Sequence, residues 1–397
     1  MNEPMVDAQP FTRQRLASGN SFLAALSNAI MSRPRLTALV ESLPAFVPFV
    51  GPEAQERARG RPFRARLGAN ESLFGPSPRA VAAMREAAAG NWMYSDPENH
   101  DLRVAIARFH GVALDNVVVG EGIDGLLGLA VKLAVEPGSA VVTSDGTYPT
   151  FNFHVAGGAG RLVAVPYRDD RQDLAALLDA ARREDARILY VCNPDNPMGS
   201  FWPAQALRAL IEALPDGVLL LLDEAYCDTA PQTEMLPIDV SNAQVLRLRT
   251  FSKAYGLAGA RIGYCVGDAA LIGEFEKIRN HYGINRVGQI GALAALEDQE
   301  YLAEAVGRIA RARDIIAVTA RDNGLTPLPS GANFVSIDCS RDGAFARRVL
   351  DGLLERDVFA RMPGVAPLNR CIRISCGRDE DLAIFAEALP LALAAAR

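Results

Sequence analysis

Residues 218–226 read Val218-Leu219-Leu220-Leu221-Leu222-Asp223-Glu224-Ala225-Tyr226, and residues 245–253 read Val245-Leu246-Arg247-Leu248-Arg249-Thr250-Phe251-Ser252-Lys253. Each stretch opens on a short, largely apolar run and closes on side chains that can do chemistry. Apolar runs this short fit a strand buried on both faces, as in a parallel sheet, better than a helix. The same pattern recurs outward from these two, at Val117–Val119, Ala140–Thr143, Ile188–Cys192 and Ile262–Val266, with helix-like stretches between. Strands alternating with crossover helices predict an α/β core. After Gln289 the pattern turns helical for roughly 35 residues, then offers Asn333–Asp338 and Cys371–Ser375 as strands of a smaller α+β lobe.

Upstream of the core the pattern loosens. Phe22, Leu23, Leu26, Ala29 and Ile30 share one helical face that ends near Arg33-Pro34. From Pro34 to Arg66, prolines 34, 44, 48, 52 and 62 interrupt the apolar pieces and five arginines fall between 57 and 66. That segment reads as an extended arm.

With 397 residues, 49% of them hydrophobic, the chain can bury a large core in one domain or two unequal ones. A formal net charge of -6 gives no basic field for nucleic acid or an anionic membrane, so the expected partner is a small molecule. Cysteines 192, 227, 265, 339, 371 and 376 stand singly, without CxxC pairs or a Cys/His ligand cluster. They read as reduced cytoplasmic thiols, and no metal site is expected. No apolar run is long enough to span a bilayer, and the N-terminus lacks the features of a secretory leader. Of 41 basic residues only Lys132, Lys253 and Lys277 are lysines. Chemistry that needs an amine therefore has three candidates.

Ligands of open α/β sheets gather just past the carboxyl ends of the strands. After Val119 comes Gly120-Glu121-Gly122-Ile123-Asp124-Gly125, followed by a helix and a strand ending near Asp145. This GxGxxG with a later acid is the dinucleotide fingerprint, yet the same glycines make an anion seat for any phosphate. After Thr143 comes Asp145-Gly146-Thr147-Tyr148-Pro149, whose tyrosine could lie against an aromatic ring or simply serve the core. After Cys192 comes the turn-rich Asn193-Pro194-Asp195-Asn196-Pro197-Met198-Gly199. Asp223 emerges from a wholly apolar strand and needs a partner, either a protonated ring nitrogen or a neighbouring arginine. Lys253 is the one lysine at a strand end, since Lys132 and Lys277 fall within helix-like stretches. A lysine for a Schiff base, a carboxylate for a pyridinium nitrogen, a phosphate seat and donors to a ring hydroxyl are together what pyridoxal phosphate requires.

From about Arg35 to its C-terminus, the chain resembles the fold-type I pyridoxal-phosphate aminotransferases, and among them looks most like the histidinol-phosphate aminotransferases. The resemblance implies a large domain with a mostly parallel seven-stranded sheet between helices, and a smaller α+β domain. Residues 1–77 would form the N-terminal arm and part of the small domain, 78–290 the large cofactor-binding domain, and 291–397 the C-terminal small domain. Lys253 would carry the cofactor as a Schiff base and act as the base, Asp223 would pair with the pyridinium nitrogen, and Asn196 and Tyr226 would donate to the ring hydroxyl. Tyr148 would stack on the ring. Gly122, Ile123, Asp124, Thr250, Ser252 and Arg261 would hold the phosphate. Tyr94 would cross a homodimer interface toward the partner's phosphate. Asn70-Glu71 would form a mobile site loop, Arg373 with Asn333 would grip the substrate carboxylate or its equivalent, and Arg361 would contact a distal phosphate. The sequence departs from the family pattern at Met198, where threonine is usual, and in Ser375-Cys376-Gly377-Arg378, where Arg378 adds either a cation near the substrate or a surface charge.

The activity so implied is a ping-pong transfer of an amino group from an amino acid, or histidinol phosphate, to a 2-oxo acid. A threonine-phosphate-type decarboxylase shares nearly all of these motifs and differs in the bond broken. An NAD-dependent oxidoreductase would rest on GxGxxG alone and leave Lys253, Asp223 and Arg261 without a role. A non-catalytic sensor on the same scaffold has no appended DNA-binding segment to support it.

Overall fold

The computed structural model describes residues 34–44 and 50–397; the helix expected at Phe22–Ile30 lies outside them. Two units divide the chain, Met1–Ala45 and Phe46–Arg397. In the first, Thr37 accepts a hydrogen bond from the Val40 N–H at 3.3 Å and starts the short helix Ala38–Ser42.

In the second unit the expected extended arm is corrected, because Pro52–Arg59 is a helix. Pro52 occupies the first turn, where a missing N–H costs nothing, and Gly60, at φ +70°, ends the helix in the left-handed region. Arginines of this segment are paired: Arg59 with Asp357, and Arg66 with Glu56, Nε to Oε1 at 3.0 Å.

Twelve strands follow in chain order: β1 (Ala65–Arg66), β2 (Val117–Gly120), β3 (Ala140–Ser144), β4 (Arg161–Val165), β5 (Ile188–Cys192), β6 (Leu219–Asp223), β7 (Val245–Thr250), β8 (Gly263–Val266), β9 (Thr326–Pro327), β10 (Phe334–Asp338), β11 (Val358–Phe359) and β12 (Cys371–Ser375). Seven of them form one sheet in the order β2-β8-β7-β6-β5-β3-β4. β8 alone runs antiparallel to its neighbours. All six core runs read from the sequence are strands of this sheet. The seventh, β4, escaped because it is an edge strand whose Arg161 and Leu162 face solvent, which breaks the apolar run.

The central strand shows why alternation is missing from its sequence. Leu219 and Leu221 pack on one face with Leu126 and Phe151, while Leu220 and Leu222 pack on the other with Leu177 and Leu207. Helices cover both faces, so every position of β6 is buried. A separate core joins Ala65 and Leu67 to residues from Ile309 to Ala396, around the antiparallel sheet β12-β10-β9 and the parallel pair β1-β11. Among the described residues no helix is long and apolar enough to cross a membrane.

Candidate active site

At the carboxyl ends of β2, β3, β5, β6 and β7 lies a cavity of about 350 Å³. Of the residues read from the sequence, it is lined by Asn70, Ile123, Asp124, Tyr148, Asn196, Asp223, Tyr226, Thr250, Ser252, Lys253, Arg261, Arg361 and Arg373. Gly122 stands directly behind this wall, where a Cβ would meet Arg261 Nη2 at 2.7 Å. Lys132 is exposed and Lys277 is ion-paired with Glu274 at 2.6 Å, which leaves Lys253 as the lysine of the cavity.

Asp223 closes β6 and is buried. Its partners are neutral: Tyr190 on the adjacent strand β5 donates to Oδ2 at 2.7 Å, and the Ala225 N–H to Oδ1 at 3.0 Å. Burial pushes the carboxyl up to about 6 against these bonds and against the charge of Lys253. Lys253 donates to the backbone carbonyl of Asn70 at 3.1 Å. Burial, and then the nearby Arg373, bring its amine down to about 8. An amine so placed is a nucleophile and base near neutral pH.

The turn at the start of the helix Gly122–Ala134 forms an anion seat. Gly122 sits at φ +74°, and a Cβ on Gly263 of β8 would stand 2.7 Å from the Ile123 nitrogen, so two glycines let these backbones close up. Thr250 Oγ1 donates to Ser252 Oγ at 2.9 Å, and Arg261 Nη1 to the same Ser252 oxygen at 3.5 Å. Helix N–H groups, two hydroxyls and a guanidinium converge there, a donor set suited to a phosphate dianion.

On the other side, Asn196 Nδ2 donates to Tyr226 Oη at 3.2 Å, while Arg373 Nη1 donates to Asn196 Oδ1 at 2.5 Å. Burial lowers the Arg373 guanidinium to about 10. Arg361 lies beside it, joined by backbone bonds in both directions, with Arg373 N–H to Arg361 O at 2.6 Å. Arg361 Nη2 also donates to the Val50 carbonyl at 2.8 Å.

Some expected residues stand elsewhere. Asn333 does not line the cavity; its Nδ2 donates to the Asn70 carbonyl at 3.0 Å and supports the loop from behind. Tyr94 is 82% exposed and outside the cavity of its own chain, its ring 5.0 Å from that of Tyr282. Arg378 is bound to Asp381 at 2.9 Å and Glu380 at 3.0 Å, which assigns it to the surface. Asp145, the acid of the dinucleotide fingerprint, is exposed and does not line the cavity.

Asn70, expected in the site loop, does more than that loop implied, and Asp195 and Glu224 carry tasks that the sequence did not assign. Asn70 proves to be a hub: at φ +55° its N–H reaches Ser375 Oγ at 3.0 Å, its Nδ2 reaches Tyr226 Oη at 3.1 Å, and its carbonyl meets Lys253. Asp195, buried beneath Asn196, is held by Tyr167 at 2.7 Å, Gln172 at 2.9 Å and the Met198 N–H at 3.0 Å, with burial raising it to about 7. Glu224 points away from the cavity into a pair of arginines, Arg247 at 2.5 Å and Arg249 at 3.0 Å. The motif Asp195-Asn196 carried a signal for Asp195, Asn70 was placed by its match to the site loop, and Tyr190 had no signal beyond its neighbours in sequence.

These groups fit pyridoxal phosphate. The buried Asp223 carboxylate with neutral partners complements a protonated ring nitrogen, the glycine-walled seat complements the phosphate, and an amine of lowered basicity stands between them. The fold and the site define the class: a pyridoxal-phosphate-dependent transferase of fold type I. The family model "Aminotransferase class I and II" matches residues 65–389, and the chain belongs to that family. It is an aminotransferase, with pyridoxal phosphate as its cofactor. It is 33% identical over 360 residues to a histidinol-phosphate aminotransferase of Moorella thermoacetica, covering 90% of this chain and 92% of the relative. The solved histidinol-phosphate aminotransferase of Sinorhizobium meliloti, in complex with pyridoxal-5'-phosphate, is 54% identical, with a TM-score of 0.89 over 92% of this chain and 99% of that one. An aspartate aminotransferase of Rhizobium meliloti, at 21% identity and TM-score 0.74 over 91% of this chain and all (100%) of the other, shares the fold.

Proposed function

We propose that the chain moves the amino group of histidinol phosphate to a 2-oxo acid such as 2-oxoglutarate, by a ping-pong mechanism that depends on Lys253. The observation that carries this reading is the pair Arg361 and Arg373, bridged through their backbones and both facing the cavity. Two adjacent guanidiniums suit a substrate that brings an anion distal to the reacting carbon, and the names of the relatives agree with such a donor.

Bound pyridoxal phosphate supplies an electron-poor ring that takes up the electron pair left when the donor Cα loses its proton. Asp223 would keep a proton on the ring nitrogen, while Tyr226 and Asn196 would offer donors to the ring hydroxyl. Tyr148, which lines the cavity, would cover a face of the ring. Lys253 Nζ removes the Cα proton, and Arg373 orients the donor so that this C–H faces Lys253. Arg361 holds the distal phosphate of the donor, and the Asn70-Glu71 loop, supported from behind by Asn333, shapes the donor's side of the cavity.

The enzyme works as a homodimer in which Tyr94 serves the partner's phosphate seat. Trp92 at 83%, Tyr94 at 82% and Tyr282 at 56% exposure form an aromatic surface of the kind that a partner covers. Its place is the cytoplasm, where six unpaired thiols remain reduced.

The test is a spectral titration of the purified protein with histidinol phosphate, phenylalanine, tyrosine, aspartate, glutamate and threonine phosphate in turn. Histidinol phosphate is expected to bleach the visible cofactor band at the lowest concentration, with 2-oxoglutarate restoring it. Bleaching by another donor at lower concentration sinks this substrate reading, and release of carbon dioxide from threonine phosphate would show decarboxylation.

A further inference from the structure

The helix Gly122–Ala134 carries acids at the end that seats an anion, Glu121 just before it and Asp124 in its first turn. The N–H groups and dipole of that end attract a phosphate. A carboxylate on the same cavity wall repels it. Asp124 lines the cavity. Glu121 is drawn off, its carboxylate lying against Gly283.

Asp124 is engaged from the neighbouring helix Pro149–Gly157, where His154 Nε2 meets Asp124 Oδ1 at 3.1 Å. The carboxylate can only accept, so Nε2 carries the proton of this bond. Room for the imidazole comes from Gly128, where a Cβ would stand 2.9 Å from Nδ1 and 3.0 Å from Cε1 of His154. Glycine weakens a helix interior, yet here it leaves a slot that fits the ring.

We propose that His154 is a positioning residue of the phosphate seat: its Nε2–H holds the Asp124 carboxylate away from the cofactor phosphate. The N–H groups of the Gly122–Asp124 turn, Ser252 and Arg261 then meet the dianion without a competing charge. Gly128 is part of the same device. The inference rests on the reading that these groups seat the phosphate, and it adds a residue outside the cavity that governs the charge within it.

The test measures dissociation constants of the apoprotein for pyridoxal phosphate and for pyridoxal, which lacks the phosphate. His154→Phe is expected to weaken pyridoxal phosphate about five- to tenfold while leaving pyridoxal within about twofold, the scale of one nearby charge at a helix N-terminus. Adding Asp124→Asn to His154→Phe restores the phosphate preference, because the freed group is then neutral. Gly128→Ala raises helix propensity but displaces the imidazole, and weakens pyridoxal phosphate in the same direction. Equal weakening of both ligands by His154→Phe, or no rescue by Asp124→Asn, overturns the proposal. Arg261→Met is the reference. If it lowers the preference for the phosphorylated ligand and the His154 and Gly128 variants do not, this inference alone fails. If Arg261→Met has no effect on that preference, the seat itself has been misread.

Discussion

Tyr190 Oη donates to Asp223 Oδ2 at 2.7 Å across the β5–β6 pair, so a phenol buried in mid-strand holds the carboxylate at the strand end. The bond favours the ionised form, which burial opposes, with the balance near 6. Pyridoxal phosphate affinity of the apoprotein should therefore fall as pH drops through about 6. Tyr190→Phe removes a contribution that lowers the carboxyl, so its midpoint rises, and the loss of affinity begins at higher pH, by roughly one unit. Asp223→Asn abolishes this pH dependence and costs on the order of a hundredfold in turnover. An unmoved midpoint in Tyr190→Phe would mean that the phenol serves packing alone.

Lys253 sets a second pH dependence of opposite cause. Burial, with Arg373 nearby, brings its amine to about 8, and if Lys253 is the group that captures the cofactor it would do so through its neutral amine. The rate at which apoprotein captures pyridoxal phosphate should climb through pH 8 and level off above about 9. Arg373→Met removes a neighbouring positive charge, so the amine becomes more basic and the climb moves to higher pH. Lys253→Ala should develop no lysine-bound cofactor band and lose roughly a thousandfold or more in turnover, within the range assigned to a positioned base. A capture rate that is flat across this window excludes Lys253 as the titrating group.

The second acid of the Asp223-Glu224 pair has a different task. Glu224 is 1% exposed and bound to Arg247 and Arg249; burial works to raise its carboxyl, but the two guanidiniums outweigh burial and hold it below the usual range. Removing one partner of a buried pair strands the other charges. Glu224→Gln should lower unfolding free energy by about 3–5 kcal/mol in denaturant titrations. The cofactor band should keep its position, since Glu224 does not line the cavity. A spectral change without loss of stability would relocate Glu224 to the site.

How much of this was legible follows from where the signals lie. β5, β6 and β7 were readable because burial on both faces makes each an uninterrupted or nearly uninterrupted apolar run, and Lys253 and Asp223 were readable because they end such runs. β4 was not, since an exposed edge dilutes the pattern. The helix Pro52–Arg59 was hidden by prolines and arginines whose partners, such as Asp357, lie far along the chain. Asn70 could be matched to a loop but not to its work: Tyr226 and Ser375, which it binds, are 156 and 305 residues away. His154 and Gly128 have no motif at all, because their relation is a fit between two helices.

Tyr94 offers the sharpest test of assembly. It is exposed beside Tyr282, two residues along the chain from the exposed Trp92, and takes no part in the cavity of its own chain. If it completes the partner's site, Tyr94→Ala and Lys253→Ala homodimers are both impaired, for different reasons. In a mixed dimer, the site with Lys253 intact receives its Tyr94 from the Lys253→Ala subunit and is whole, while the other site bears both lesions. Random mixing in equal amounts makes half the dimers mixed, each with one whole site of two, so activity should return to about a quarter of the native value. If Tyr94 acts within its own chain, every site in the mixture retains one lesion and nothing is recovered. Sedimentation of Trp92→Glu should show a monomer, since a buried charge in the aromatic patch opposes the interface; a Trp92→Glu protein that remains dimeric and fully active would move the interface elsewhere.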